Sequence, residues 1–316
     1  MSQKAIVVVG MHRSGTSAIS GLLAELGVFM GSSLFAPQEG VNEKGFFENS
    51  LLVDINDRLL DESLLSWDHP LALTLAGEQQ PHLSAYQNEA KLIIEKDYRG
   101  KLLWGMKDPR TSLLLPFWLK TFKDLNVSAN FILMLRHPME VFGSLKKRDG
   151  FSLQKVMHLW LNYTLSSYFG SLQQPSVILR YEDLLNTPET CAKRIFETFS
   201  LGELDSLASQ SFIDKKLQNQ HSINVPNDRL VNLAMTVYLE LGKSVIDHNA
   251  VVKASEEYQA HLHSLSSVLV EHLNAVKKEE VYFKHHFLNA YESIWWKLSW
   301  PLKKIESFFS PGRYRG

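Results

Sequence analysis

The stretch AIVVVGMHRSGTSAISGLL, residues 5–23, constrains the fold more than any other part of the chain. An apolar, β-branched run stops at Gly10 and Gly15 follows five residues later; beyond it Ala18, Ile19, Leu22, Leu23 and Leu26 recur at helical spacing until Gly27. A buried strand, a glycine-bounded turn and an amphipathic helix, in that order, leave backbone N–H groups at the helix start without intrahelical partners. Those N–H groups and the helix dipole favour an anion, and the glycines let the backbone approach it closely.

Three further runs read as strands, 101–106, 131–135 and 176–180, with helical patterns between them. Strands alternating with helical crossovers predict an α/β fold, a central parallel sheet flanked by helices. The four runs are followed by HRSGTS, KDPR, RHP and YED. Ligands of such sheets bind at the carboxyl ends of the strands, so these polar segments are expected on one rim. Thr187, Pro188 and Glu189 read as N-cap, first helical residue and first-turn acid of a helix through Phe199. From there to about Lys278 the pattern is mainly helical, which makes the C-terminal half largely helical. The expected division is an α/β domain over 1–278 and a basic, aromatic, amphipathic tail over 279–316.

Hydrophobic residues make up 45% of the 316 positions, enough to fill a core, and disorder is not the default expectation. The net charge of -1 argues against a general nucleic-acid binder, which needs a concentrated cationic surface. An anion site must therefore be local. A single cysteine, Cys191, rules out an intramolecular disulfide, fits a reducing compartment and reads as a small buried side chain. Neither a signal-like segment nor an apolar run of membrane-spanning length stands out, so a cytoplasmic location is expected. The end of the chain differs. It holds three of the seven tryptophans, and from Tyr291 onward five Lys or Arg face two Glu. Such a segment either lies on an anionic membrane surface, here the inner one, docks on a partner, or packs against its own domain.

A Walker-type loop carries lysine after its second glycine. Here Thr16 stands in that place, and the nearby cation is Arg13. The strand FILML ends in Arg136, where a nucleoside triphosphatase needs a metal-holding aspartate. A phosphosulfate carries less charge on its transferring group than a triphosphate and needs magnesium less, so these substitutions favour sulfuryl over phosphoryl transfer. The alternatives are a P-loop kinase or NTPase and a catalytically inactive, membrane-peripheral protein of the same fold. His261 and His263 are two apart and His285 and His286 adjacent, spacings unsuited to a shared ligand set on a helix, and no metal site is predicted.

HRSGTS resembles the 5′-phosphosulfate loop of PAPS-dependent sulfotransferases. LRHPMEVFGS resembles their 3′-phosphate element, an arginine followed eight residues later by a serine, here Arg136 and Ser144. YEDLLNTPE resembles their YED segment. The three motifs stand in the family's order over roughly residues 5–200. The resemblance implies a P-loop-NTPase-like sulfotransferase fold and PAPS as donor. It places Arg13, Ser14, Gly15, Thr16 and Ser17 at the phosphosulfate, Arg136 and Ser144 at the 3′-phosphate and Tyr181 near the adenine.

Sulfuryl transfer to a hydroxyl needs an in-line arrangement, a base and cations for charge gathering on the leaving phosphate. Arg13 is expected to supply a cation. Glu48 in GFFEN resembles a glutamate of bacterial-type members, and Glu43 in EKGFF fits the glycan-modifying members' catalytic glutamate about as well. Glu48 is favoured because Phe46 and Phe47 can desolvate its carboxylate and raise its pKa; the competing reading is a glutamate at a helix start beside Asn49 and Ser50. Lys107 in GMKDPRTS resembles the lysine that sits by the sulfuryl group in heparan-type members, with Asp108 where those have a hydroxyl residue. Arg110 is expected to meet the phosphosulfate, an acidic acceptor or Asp108. By analogy with cytosolic members, His12, His137 and His158 are alternative bases, His137 reading rather as loop support and His158 as packed on a helix. The acceptor is expected to be a carbohydrate or glycolipid, on the strength of the glutamate base and of SWPLKKI, which loosely resembles the ends of bacterial surface-polysaccharide enzymes.

Overall fold

The computed structural model describes residues 3–35, 47–71, 83–202, 225–265, 267–296 and 299. They fall into two compact units, Met1–Ser264 and Leu265–Gly316. The boundary expected at 278/279 lies inside a helix of the second unit.

Among the described residues the first unit is built on four parallel strands, β1 (Lys4–Val9), β2 (Leu103–Lys107), β3 (Ser128–Leu135) and β4 (Ser176–Arg180), in the order β2-β1-β3-β4. The expected α/β sheet flanked by helices is therefore present. Ala5 to Val9 and Phe131 to Leu135 are almost wholly inaccessible, as strands covered on both faces must be. Val8 lies opposite Lys107 on one side and Ile132 on the other, and Leu135 opposite Arg180, so the carboxyl ends form one rim. From β1 the chain builds outward to β2, then returns across β1 to β3 and β4. This reversal opens a crevice between the ends of β1 and β3, the place where doubly wound sheets bind ligands.

The first helix, α1 (Thr16–Glu25), begins at the glycine loop as its periodicity predicts, and Gly27 lies just beyond with φ 85°. Helices α2 (Ser50–Glu62) and α3 (Leu83–Asp97) form the crossover to β2. A short 3₁₀ helix (Pro109–Leu114) and α4 (Leu115–Asp124) lead on to β3. Then come α5 (Pro138–Asp149), which starts at a proline capped by His137, and α6 (Leu153–Ser171), buried along most of its length. After β4 the short α7 (Tyr181–Asn186) and α8 (Pro188–Phe199) follow. Thr187 stands at the N-cap of α8 as expected, but its hydroxyl donates back to Asp183 O instead of capping. The helices α9 (Arg229–Leu241) and α10 (His248–His263) complete the unit. Cys191 on α8 is buried in the core cluster beneath β1 and β3. The second unit contains α11 (Ser267–Glu292).

Strand β2 ends one residue later than its apolar run suggests, so Lys107 is itself a strand residue with 4% exposure. A rigid strand, not a mobile loop, thus aims its amine.

Candidate active site

The loop after β1 is shaped by close backbone approach. Gly10 has φ 130°, and a Cβ there would lie 2.6 Å from Met134 O on β3, so only glycine fits. Its N–H donates to Ser112 Oγ at 3.0 Å, tying the loop to the 3₁₀ helix. Arg13 adopts φ 67°, and Ser14 N donates to Met11 O at 3.1 Å, closing the turn. Gly15, φ 91°, is the N-cap of α1 and brings no side-chain cap; the first turn carries no acid. The helix start therefore keeps its positive character. The side chains of Ser14 and Thr16 are buried beneath the loop.

Two arginines converge on this loop. Arg136, leaving β3, donates from Nη1 to Arg13 O at 2.9 Å, pairs through Nε with Glu140 at 2.7 Å and lies 4.3 Å over the Tyr181 ring. A Cβ on Gly15 would run into that same ring, so Tyr181 packs directly on the loop. Arg13 donates from Nε to Ser144 Oγ at 2.8 Å. Arg13, Gly15, Arg136, Ser144 and Tyr181 are thus brought together. Ser144 thus holds Arg13, while Arg136 holds the Arg13 carbonyl and also makes an ion pair with Glu140. Trp160 fixes the backbone by donating Nε1 to Arg136 O at 3.0 Å. Arg13 keeps a solvent-facing edge, yet burial of its guanidinium and the like charges of Arg148 and Arg136 lower its pKa. A cluster of like charges of this kind gains from a bound anion.

The second constellation lies at the end of β2. Lys107 Nζ donates to Glu48 Oε1 at 2.5 Å and to Ser17 Oγ of α1 at 3.1 Å. The side chains are 3% and 14% exposed. Burial raises the Glu48 pKa; Lys107 pulls it back and Asp108 pushes it further up. Glu48 itself is placed by the chain on either side of residues 36–46. Phe35 N donates to Glu48 O at 3.0 Å, Ser50 N to Ser33 O at 2.8 Å, and Leu34 bridges Asn49. Asn49 is the residue that caps α2, accepting from Leu51 N and Leu52 N, which leaves the Glu48 carboxylate for Lys107. Phe47, at φ 55°, turns the chain and packs against the core. Phe46 and Glu43 lie outside the described residues.

A buried polar network supports this end of the sheet. Asp108, 2% exposed, accepts from Asn56 Nδ2 at 2.8 Å and from Arg110 Nη1 at 2.9 Å; Asn56 Oδ1 in turn accepts from Trp118 Nε1 at 2.8 Å. Arg110 also pairs with Asp57 at 2.8 Å. Burial opposes the Arg110 charge, but Asp108 and Asp57 more than offset it and its pKa is raised. Asp108 is among the partners expected for Arg110. Sequence reasoning passed over Asn56 and Asp57. A signal existed for Asn56, a polar residue inside the apolar stripe Leu52, Val53, Leu59, Leu60 of α2.

The histidines divide as follows. His12 is part-exposed overall, but its Nε2 is buried with no hydrogen-bond partner among the described residues, and its ring lies 4.6 Å from Trp67 and 5.6 Å from Tyr163. Burial, with Arg110 and Lys107 nearby, holds its pKa well below the usual value. His137 caps α5 by accepting from Met139 N at 3.2 Å, and His158 bonds Tyr258 OH at 3.0 Å across to α10. Both act within the scaffold. Among the described residues no group of three or more His, Cys, Asp or Glu is gathered to hold a metal.

The parallel sheet thus gathers a glycine loop, two converging arginines and a buried Glu–Lys pair at one rim. The profile of the Sulfotransferase family matches residues 5–205, and the chain belongs to that family. Its general chemistry is sulfuryl transfer. Among solved structures, sulfotransferase STF1 from Mycobacterium tuberculosis H37Rv is similar at 16% identity, covering 75% of this chain and 77% of that one, with TM-score 0.48. STF9 from Mycobacterium avium is similar at 16% identity, with 83% and 77% covered and TM-score 0.43. The sulfotransferase domain of the Synechococcus PCC 7002 olefin synthase is similar at 16% identity, with 82% and 95% covered and TM-score 0.39. No curated protein matches the chain.

Proposed function

We propose that the chain transfers the sulfuryl group of PAPS to a hydroxyl of a carbohydrate or glycolipid, with Glu48 as general base. One observation carries this reading: the Glu48–Lys107 pair touches the glycine loop through Ser17 at 3.1 Å, while Arg13, Arg136 and Ser144 meet on that same loop. A proton acceptor and two separate sources of positive charge therefore share one crevice.

The residues suit such a donor. The uncapped N–H groups of Gly15, Thr16 and Ser17 together with Arg13 receive the 5′-phosphosulfate. Arg136 offers its planar fork to the 3′-phosphate, and Tyr181 lies beside it for the adenine. In the reaction the acceptor oxygen forms its bond to sulfur and its proton passes to Glu48. The bond from sulfur to the bridging phosphate oxygen breaks, releasing adenosine 3′,5′-bisphosphate. Lys107, Arg13 and the loop amides meet the charge that gathers on the leaving phosphate. Because burial raises the Glu48 pKa, its carboxylate is a stronger base than an exposed glutamate. Glu43 remains the alternative base.

The carbohydrate class rests on the glutamate base and on an aromatic wall beside the loop. Trp67 stacks on Phe151 at 5.8 Å and reaches His12. Aromatic faces suit the apolar side of a sugar ring.

The test is an acceptor screen with radiolabelled PAPS over polysaccharides, lipid-linked sugars, tyrosine peptides and phenols, without ATP or magnesium. Label is expected on a sugar acceptor, and Glu48→Gln should lower kcat about 100-fold or more while nucleotide affinity stays within about twofold. Unchanged kcat in Glu48→Gln would remove it as base and direct attention to Glu43→Gln. Label only on phenols or tyrosine overturns the carbohydrate class, and magnesium-dependent ATP turnover without sulfuryl transfer overturns the donor.

A further inference from the structure

Asp97, the last residue of α3, gathers the two stretches of chain that flank residues 36–46. Its carboxylate accepts from Ser32 N–H at 3.2 Å and from the Ser32 hydroxyl, from Ser33 Oγ at 3.3 Å and, on the returning chain, from Asn49 Nδ2. Asn49 has no freedom to turn round. Its Oδ1 caps α2, so its amide N–H groups need an acceptor, and at 3% exposure the carboxylate supplies one. A Cβ on Gly31 would lie 3.1 Å from Asp97 Oδ2 and 3.3 Å from Asn49 Nδ2, so glycine lets the chain pass this close.

The same end of α3 is tied to the strand that carries Lys107. Tyr98 is buried and stacks on Trp104 of β2 at 4.3 Å. Phe29 bridges Trp104, with Gly105 N donating to Phe29 O at 2.8 Å. A few residues on, Ser33 O accepts from Ser50 N at 2.8 Å and from Ser50 Oγ at 3.1 Å. Glu48 is thus located from two sides, through Ser33 and through Asn49, and one carboxylate holds both. Misplacing a reacting group by about 1 Å can cost about 100-fold in rate. We propose that Asp97 is a positioning residue for the reaction, clasping Ser32, Ser33 and Asn49 so that Glu48 is fixed against Lys107. This rests on the reading of Glu48 as the base.

The test is kinetic, with amide exchange beside it. Asp97→Ala should lower kcat about tenfold or more while adenosine 3′,5′-bisphosphate affinity stays within about twofold. Asp97→Asn should recover most of that rate, because its carbonyl still accepts from Ser32 N–H and Asn49 while its amide donates to the serine hydroxyls. In a Glu48→Gln background Asp97→Ala should cost less than about twofold, since no base is left to misplace. Amide exchange should quicken about tenfold at Phe35 and Ser50, which bond Glu48 O and Ser33 O, and stay unchanged in β3. Should the Ala variant fail to fold, Ser32→Ala with Ser33→Ala opens the clasp from its other side and should lower kcat about threefold or more with the same exchange pattern. Unchanged kcat in Asp97→Ala, equal losses with and without Glu48, or a loss that Asp97→Asn does not recover overturns the positioning role. Wild-type kcat in Glu48→Gln would instead remove the base, and exchange at Phe35 and Ser50 would then decide the clasp by itself.

Discussion

Replacing Lys107 by methionine keeps most of the side chain's length and removes its charge, leaving Glu48 with a buried carboxylate and no cation 2.5 Å away. Losing one member of a buried pair destabilises proteins by about 3–5 kcal/mol when the other must stay charged. Here the carboxylate has an escape, because it can take up a proton. From pH 7, protonating a group whose ordinary value is 4.5 costs about 3.4 kcal/mol, and from pH 5.5 about 1.4 kcal/mol. Those figures cap the penalty from the orphaned charge. The sign follows: a carboxyl whose folded-state pKa is raised loses stability as pH climbs above its unfolded value, and removing Lys107 raises that pKa further. The variant's destabilisation relative to wild type should therefore grow by up to about 2 kcal/mol between pH 5.5 and pH 7. In thermal melts this is a gap that widens by up to about 4 °C. A gap equal at both pH values, or larger at pH 5.5, would refute the reasoning that Lys107 balances a buried, ionised Glu48.

Three further outcomes test the rest of the site. Arg136→Ala should weaken adenosine 3′,5′-bisphosphate binding by about 1.5–3 kcal/mol, roughly 10- to 150-fold by calorimetry, the scale of hydrogen bonds to a charged group; Arg136→Lys should recover only part of this, because lysine lacks the fork. Gly15→Ala should destabilise by about 2–5 kcal/mol, about 1–2 from the left-handed backbone and about 1–3 from collision with Tyr181. Gly27→Ala, at φ 85° with nothing within 4 Å of the new Cβ, should show only the backbone part, and equal melting temperatures for the two variants would mean Tyr181 does not press on Gly15. In the pH profile of kcat/KM, the acid limb should lie above the ordinary carboxylate range, since burial raises Glu48, and Lys107→Met should move what activity remains to a still higher pH.

The strand–loop–helix unit at 5–26 was readable from neighbouring residues alone, because β-branched runs, helical periodicity and glycine conformations are local properties of the chain. The same holds for the parallel sheet implied by alternating elements, whereas the caps supplied by His137 and Asn49 emerged only in the structure. What local pattern does not contain is who meets whom across long separations. Glu48 and Lys107 are 59 residues apart, and Arg13 and Ser144 131 apart. Only the sheet order β2-β1-β3-β4 brings the ends of β1, β2 and β3 to one rim. Tertiary structure likewise decided that Ser144 accepts from Arg13, that Lys107 is held rigid as the last residue of a strand, and that Asn56 and Asp57 reach across from α2 to brace Asp108 and Arg110. Sequence alone determined which groups were available and which elements would carry them; the fold determined their pairings, because a buried charge or amide must take whatever partner the packed topology sets within hydrogen-bond reach.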